Sequence, residues 1–493
     1  MSALSAVRGK RAAFSIAGSD CSRTFLLTTL APFNDPAVLA GGKPSLNPPS
    51  PMNPPSAKRR STPLSSDLTR RHFLAVAGAL GALPSFAAVP GIVSKGSDRI
   101  RVGVVGLGGR GTGAARDCVA ADPAVQIVAL ADLFPDRVEA GFKALRDGNP
   151  TASNGRPPLP SEQFAVTPDL CFSGFDAYKK VLESKVDIVI LATPPHFRPV
   201  HLEASIAAGV NVFAEKPVAV DPAGVRRVIA VAAEAKRKNL AIVAGTQRRH
   251  ATNYLEAMKR IQDGAIGELV GGQAYWLQDG LWHRGRQPEW SEMEYQVRNW
   301  LYFTWLSGDH IVEQHIHNLD VMNWAFGGPP VKAFGMGGRQ SRTDAKYGNV
   351  FDHFSIEYEY ANGARVQSFC RQAPGASGRV GERLVGTKGV SNPARDIQGQ
   401  TNWKYDGPEV NSMVQEHRDL IASIRAGTPL NDAVRIAEST LTAILGRTSA
   451  YTGREISFKW LLNTSTQDLS PSAYAFGAAP KEDVAIPGVT QLV

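Results

Sequence analysis

The chain has 493 residues, 43% of them hydrophobic and 20% charged, a length that suits two or three globular domains rather than one. Its formal net charge of +9 is uneven: residues 1–87 carry ten Lys and Arg against three Asp and Glu, a surplus of +7 that leaves +2 for the rest. The basic balance belongs to a leader, which removes the argument for a nucleic-acid partner. The four cysteines, Cys21, Cys118, Cys171 and Cys370, form neither a disulfide framework nor a zinc spacing.

In that leader, Thr69-Arg70-Arg71-His72-Phe73-Leu74 precedes an apolar Gly/Ala-rich stretch, 75–83, and then Ser85-Phe86-Ala87. This is the form of a twin-arginine export signal cleaved near Ala87. Pro84 and Pro90 interrupt the apolar run before it could span about 30 Å of hydrocarbon, so no stable membrane span is expected after processing. Met52 is well placed to start such a signal, and translation is expected to begin there. Residues 1–97 are read as leader and linker, and the mature protein as periplasmic.

From Asp98 a β-branched run enters Gly106-Leu-Gly108-Gly-Arg-Gly111, with a helix expected over 112–121. This is G-x-G-x-x-G in its required strand-to-helix setting. Gly106 permits the tight turn, Gly108 lets backbone approach a pyrophosphate, and Gly111 allows helix and strand to pack closely. A second strand, 126–131, ends at Asp132, placed to bond a ribose 2′-hydroxyl and so to favour NAD over NADP. Arg110 and Arg137 lie close enough in sequence to weaken that preference. Residues 139–172 read as a long surface loop because of Asn149-Pro150 and the prolines at 157, 158 and 160. Helices over 175–183 and 200–208 then alternate with buried strands over 186–192 and 210–214, the pattern of a parallel sheet.

Two strand ends in this half carry Ala192-Thr193-Pro194-Pro195-His196 and Ala214-Glu215-Lys216-Pro217. With the glycine turn and Asp132, they resemble the Gfo/Idh/MocA oxidoreductases over roughly 98–458. The resemblance implies an α/β fold: an N-terminal Rossmann domain, 98–246, and a C-terminal α/β domain, 247–460, with an open, mostly antiparallel sheet, followed by a tail, 461–493. It implies NAD as cofactor, with Thr193, Pro194, His196 and Glu215 joining the glycines and Asp132 in binding it. It places Lys216 beside the reacting carbon, where a cation can stabilise a developing alkoxide.

After Gly245-Thr-Gln247-Arg248-Arg-His250, whose Gln247 and Arg248 are assigned to substrate, a helix is expected over 254–264 and a strand over 269–275. The tryptophan-rich stretch 276–305 suits either the wall of a sugar site or core and dimer packing. In Ser307–Trp324, Glu313, His317 and Asp320 fall at i, i+4 and i+7, one face of a helix. His317 and Asp320 match the family pattern D-x-x-x-H-x-x-D, with Glu313 in the place of its first aspartate. The resemblance makes His317 the proton-transfer group, Glu313 a neighbouring carboxylate and Asp320 a substrate contact. His310, His315 and His317 lack an H-E-x-x-H spacing, so no metal is expected. Strands over 331–336, 353–360 and 364–370, a turn at Asn362-Gly363, helices over 414–425 and 432–451, and a surface-wrapping tail complete the reading.

The function expected is hydride transfer between NAD and a sugar, ketosugar or glycoside, by an enzyme that is homo-oligomeric through its second sheet. A redox-neutral glycosidase or lyase acting through a transient 3-keto intermediate and an exported NAD-containing binding protein are the alternatives. Export also implies a tightly held cofactor, because no free nicotinamide pool is expected outside the cytoplasm.

Overall fold

The computed structural model describes residues 99–149 and 156–493; the twin-arginine motif, the linker and Met52 lie outside them. Six short strands run parallel: β1 (Ile100–Val105), β2 (Val125–Asp132), β3 (Cys171–Ser173), β4 (Ile188–Leu191), β5 (Asn211–Ala214) and β6 (Ile242–Ala244), in the order β3-β2-β1-β4-β5-β6. β4, β5 and β6 are buried along their whole length, as strands covered by helices on both faces must be. The order reverses beside β1, where ligands of such sheets bind.

The second sheet has nine strands: β7 (Leu269–Gln278), β8 (Lys332–Gly338), β9 (His353–Glu359), β10 (Arg365–Gln372), β11 (Arg379–Gly386), β12 (Gly389–Asn392), β13 (Asp396–Gly399), β14 (Trp403–Lys404) and β15 (Ile456–Ser457). Only β7 and β10 pair in parallel. A Rossmann domain followed by a mostly antiparallel sheet domain is the architecture expected. Helix Ser412–Arg425 returns to the first domain, burying Leu420 and Ile421 in the same cluster as Val102, Ile127 and Phe213. Among the described residues no helix is long and apolar enough to cross a membrane.

The stretch 139–172 is not a simple loop. Pro135–Asp147 is a helix, with Pro135 at its first turn, Asp136 near its positive end and Arg146 near its negative end. Its Val138, Gly141 and Leu145 are buried at helical spacing. Beyond it Gln163 is buried, donating to the carbonyls of Asp122 and Val125, and β3 extends the sheet edge. Helix Pro222–Arg237, capped by Asp221 through Gly224 N at 2.6 Å, and strands β6 and β11–β14 have no counterpart in the sequence reading.

The helix expected to carry Glu313, His317 and Asp320 on one face is broken. Asp309, at φ 74°, starts a one-turn helix, His310–Glu313; the chain then loosens, with Gln314 and His315 both donating to the carbonyl of His310. A second helix, Ile316–Phe326, carries the other two residues.

Candidate active site and dinucleotide cavity

Gly106 N donates to Ala131 O at 2.8 Å, closing the turn after β1 at φ 97°, where a side chain would lie 2.6 Å from the Ala192 carbonyl carbon. A Cβ on Gly111 would lie 1.8 Å from Gly106 O, so the helix beginning here packs against the turn only because this residue is glycine. Gly108 is different: a Cβ there meets nothing within 4 Å, because its α-carbon borders a cavity of ≈ 410 Å³. The Asp132 carboxylate accepts from Leu107 N at 2.7 Å and Phe134 N at 3.2 Å, bracing the turn while standing at the cavity edge. Burial pushes its carboxyl upward, against the pull of those two N–H donors.

Thr193 and Pro194 line the same cavity. His196 and Glu215 do not border it. The His196 ring turns to Trp305, 5.0 Å away, and its Nε2 lies 2.9 Å from the Tyr474 hydroxyl; burial lowers its pKa to about 4. Glu215 accepts from Arg110, whose guanidinium also reaches Asp117 at 2.9 Å and Glu416 at 3.2 Å. Arg110 is therefore occupied by carboxylates and is not a free cation beside Asp132.

Lys216, at the end of β5, crosses to the second domain, donating to the Glu313 carbonyl oxygen at 2.6 Å and to its Oε1 at 2.8 Å. The broken helix makes this possible, since it frees the Glu313 carbonyl at the end of one turn. His317 stacks on Trp276 with centroids 5.8 Å apart and planes 20° apart. Burial, then the charges of Lys216 and Arg248, holds its imidazole neutral far below the usual histidine range. An uncharged imidazole has a ring nitrogen open to accept a proton.

Asp320 has protein partners of its own. It is fully buried, accepts from Arg249 at 2.8 and 3.0 Å, from Arg435 at 3.2 Å and from Ser439 at 2.8 Å, and these partners hold it at about 2 against the upward push of burial. Arg248 pairs with Glu382, a buried carboxylate that also accepts from Asn318 at 2.6 Å and Tyr254 at 3.1 Å. Gln247 begins the same turn, Gln247–His250, half-buried and with no side-chain hydrogen bond among the described residues.

The tryptophans divide. Trp276 lies against His317, Trp282 and Trp300 line the dinucleotide cavity, and Trp290 and Trp305 pack. Glu382 and the cavity residues Phe134, Phe175 and Tyr178 were not assigned from sequence, and Trp276 only as the start of the tryptophan-rich stretch; the apolar residues after each strand end were the available signals.

Residues 100–244 match the model of the Gfo/Idh/MocA oxidoreductase family, NAD-binding Rossmann fold, and residues 254–391 match the Gfo/Idh/MocA C-terminal domain. An inositol 2-dehydrogenase of Rubrobacter xylanophilus is 28% identical over 296 residues, 60% of this chain and 71% of that protein. A glycosyl hydrolase family 109 protein of Streptomyces coelicolor is 27% identical over 198 residues, 40% of this chain and 38% of that protein. The chain spans between 38% and 71% of the length of the curated relatives it matches. The crystal structure of myo-inositol 2-dehydrogenase from Lactobacillus plantarum superposes with a TM-score of 0.55 at 18% identity, covering 73% of this chain and 99% of that one, a likeness of fold.

Proposed function

Because the chain belongs to the Gfo/Idh/MocA oxidoreductase family, we propose that it is an NAD-dependent oxidoreductase acting on a sugar, ketosugar or glycoside. The observation that carries the reading is the convergence of Lys216 from the first domain with Glu313 from the second, in the field of a neutral His317. NAD fits the residues present, since the glycine turn leaves open space at Gly108 and Gly109 where both border the cavity, and when bound it supplies the hydride acceptor or donor. His317 takes the proton of the substrate hydroxyl, Lys216 stabilises the oxygen as it becomes negative, and Glu313 holds the ammonium in place. Product analysis with a panel of cyclitols, sugars and glycosides tests this: a keto product with stoichiometric NADH supports it, and no turnover of any polyol overturns it.

A second reading, redox-neutral cleavage, is favoured by the neutrality of His317. In it the uncharged His317 takes the carbon-bound proton beside a transient ketone as the C1 substituent departs. A glycosyl hydrolase and a 2,7-anhydro-N-acetylneuraminate hydratase stand among the relatives. A released leaving group with no net NADH selects it. The Lys216–Glu313 pair speaks against a non-catalytic binding protein. Export and oligomerisation belong to the same proposal: N-terminal sequencing of periplasmic protein tests a mature start after Ala87. Light scattering tests pairing through the outer sheet face, where Phe334 and Met336 are 53% and 70% exposed.

A further inference from the structure

The dinucleotide cavity is built from both domains. Its floor comes from the strand ends of the first; its opposite wall comes from Trp282, Arg284, Arg298 and Trp300 of the second. Arg284, over the Trp282 ring at 5.3 Å, has no acidic side chain within ion-pair distance among the described residues and borders the cavity with Arg137, an arrangement suited to an anionic ligand.

This wall is fastened to the first domain. Arg298 grips the Asp136 carboxylate with both Nη atoms, at 2.9 and 3.1 Å, bonds Glu294 at 2.8 Å, and lies 3.9 Å from the Phe134 ring centroid. The segment 469–482 runs over the joint. Met293 N donates to Gly477 O at 3.0 Å and Gln296 Nε2 to Pro480 O at 3.1 Å, so the segment is bonded to the helix that carries Arg298. On its other side Leu469 N donates to Asp221, Tyr474 reaches His196, and Phe476 packs on Phe134 and Phe175 at 6.1 and 5.4 Å. Phe134 and Phe175 both line the cavity. Phe476 itself remains 51% exposed and fills no core position, so its rings serve the joint and not the fold.

We propose that Trp282, Arg284 and Trp300 roof the adenosine half of the dinucleotide, and that the chain's C-terminal segment straps this roof to the first domain so that the cofactor is resident and does not exchange at each turnover. The inference rests on the dinucleotide reading of the site. A resident cofactor has a chemical consequence: every hydride removed from one substrate must be returned within the same site to another, or to the same molecule.

The full-length protein, loaded with NAD, is passed through desalting and the bound dinucleotide followed in time by chromatography of the released nucleotide. Wild-type protein should keep its NAD, and Phe476→Ala and Arg298→Ala should each release it at least tenfold faster. Phe476→Tyr, which keeps the ring, should restore retention. Release from Phe476→Ala at the wild-type rate, or equally fast release from wild type, overturns the strap. A parallel fluorescence titration with NAD separates the two readings. Saturable binding with fast exchange defeats the strap alone, and no binding at all defeats both the strap and the assignment of the cavity.

Discussion

Replacing Gly108 by valine should yield a folded protein that no longer holds a dinucleotide. At φ −68° and ψ −175° the position is ordinary extended backbone that any residue adopts, and an added Cβ meets no protein atom within 4 Å. The fold therefore meets no clash and loses only the modest N-cap preference for glycine, while the isopropyl group stands in the cavity where phosphate oxygens would approach the first N–H groups of helix Gly109–Ala121. Losing two hydrogen bonds to a charged phosphate, each worth about 1.5–3 kcal/mol, weakens binding by about 10²–10⁴-fold. The neighbouring Gly111→Ala should do the reverse, because its methyl would sit 1.8 Å from Gly106 O and the turn must open; overpacking of this kind costs about 1–3 kcal/mol or more in stability. Calorimetric titration with NAD and thermal unfolding, run on both variants, separate the effects. Tight NAD binding by Gly108→Val, or an unshifted Tm for Gly111→Ala, would refute this reading of the turn.

Lys216→Ala and His317→Ala should each lower kcat by about 10²–10⁴, with a double variant losing less than the product of the two, since both act on one proton transfer; full activity in either sinks its assignment. Asp320→Ala should cost about 3–5 kcal/mol in urea unfolding by leaving Arg249 and Arg435 buried without their carboxylate. A raised KM with unchanged stability would return Asp320 to the substrate site. Acid should destabilise the protein well above the carboxylate range: His196 is held to about 4, and His201, His315 and His417 to about 3, each by burial. The unfolded chain binds protons at these histidines near pH 6.5 while the folded one does not. Stability is therefore intact above that pH and falls by up to about 1.4 kcal/mol per pH unit per histidine below it, until the folded values are reached. A Tm that stays flat from pH 7 to 4.5 would contradict their burial as neutral groups.

The glycine turn, Asp132 and the alternation of buried strands with helices were legible in the chain because each is a local requirement: a positive φ, a close approach, a period of burial that neighbouring residues alone express. Glu215-Lys216-Pro217 was legible as a motif, and Lys216 does reach across to Glu313, yet the contact depends on a helix that breaks between Glu313 and His317. The turn before the break is started by Asp309, held by Phe351 N and Tyr451, and the break itself falls at Gln314 and His315, where the His315 Nε2 lies 2.7 Å from Ser368 Oγ. Spacing of i, i+4 and i+7 carries no trace of such distant partners. Asp320 and His196 show the same thing. A buried carboxylate goes to whichever guanidinium arrives, here Arg249 and Arg435 from two other segments, and a histidine at a strand end faces the cavity or the tail according to where Tyr474 docks. The division of the tryptophans between site, cavity and core was likewise decided by the meeting of two domains and a returning C-terminal segment. Partner choice is a long-range packing outcome, and residues hundreds of positions apart settle it only once both domains have formed.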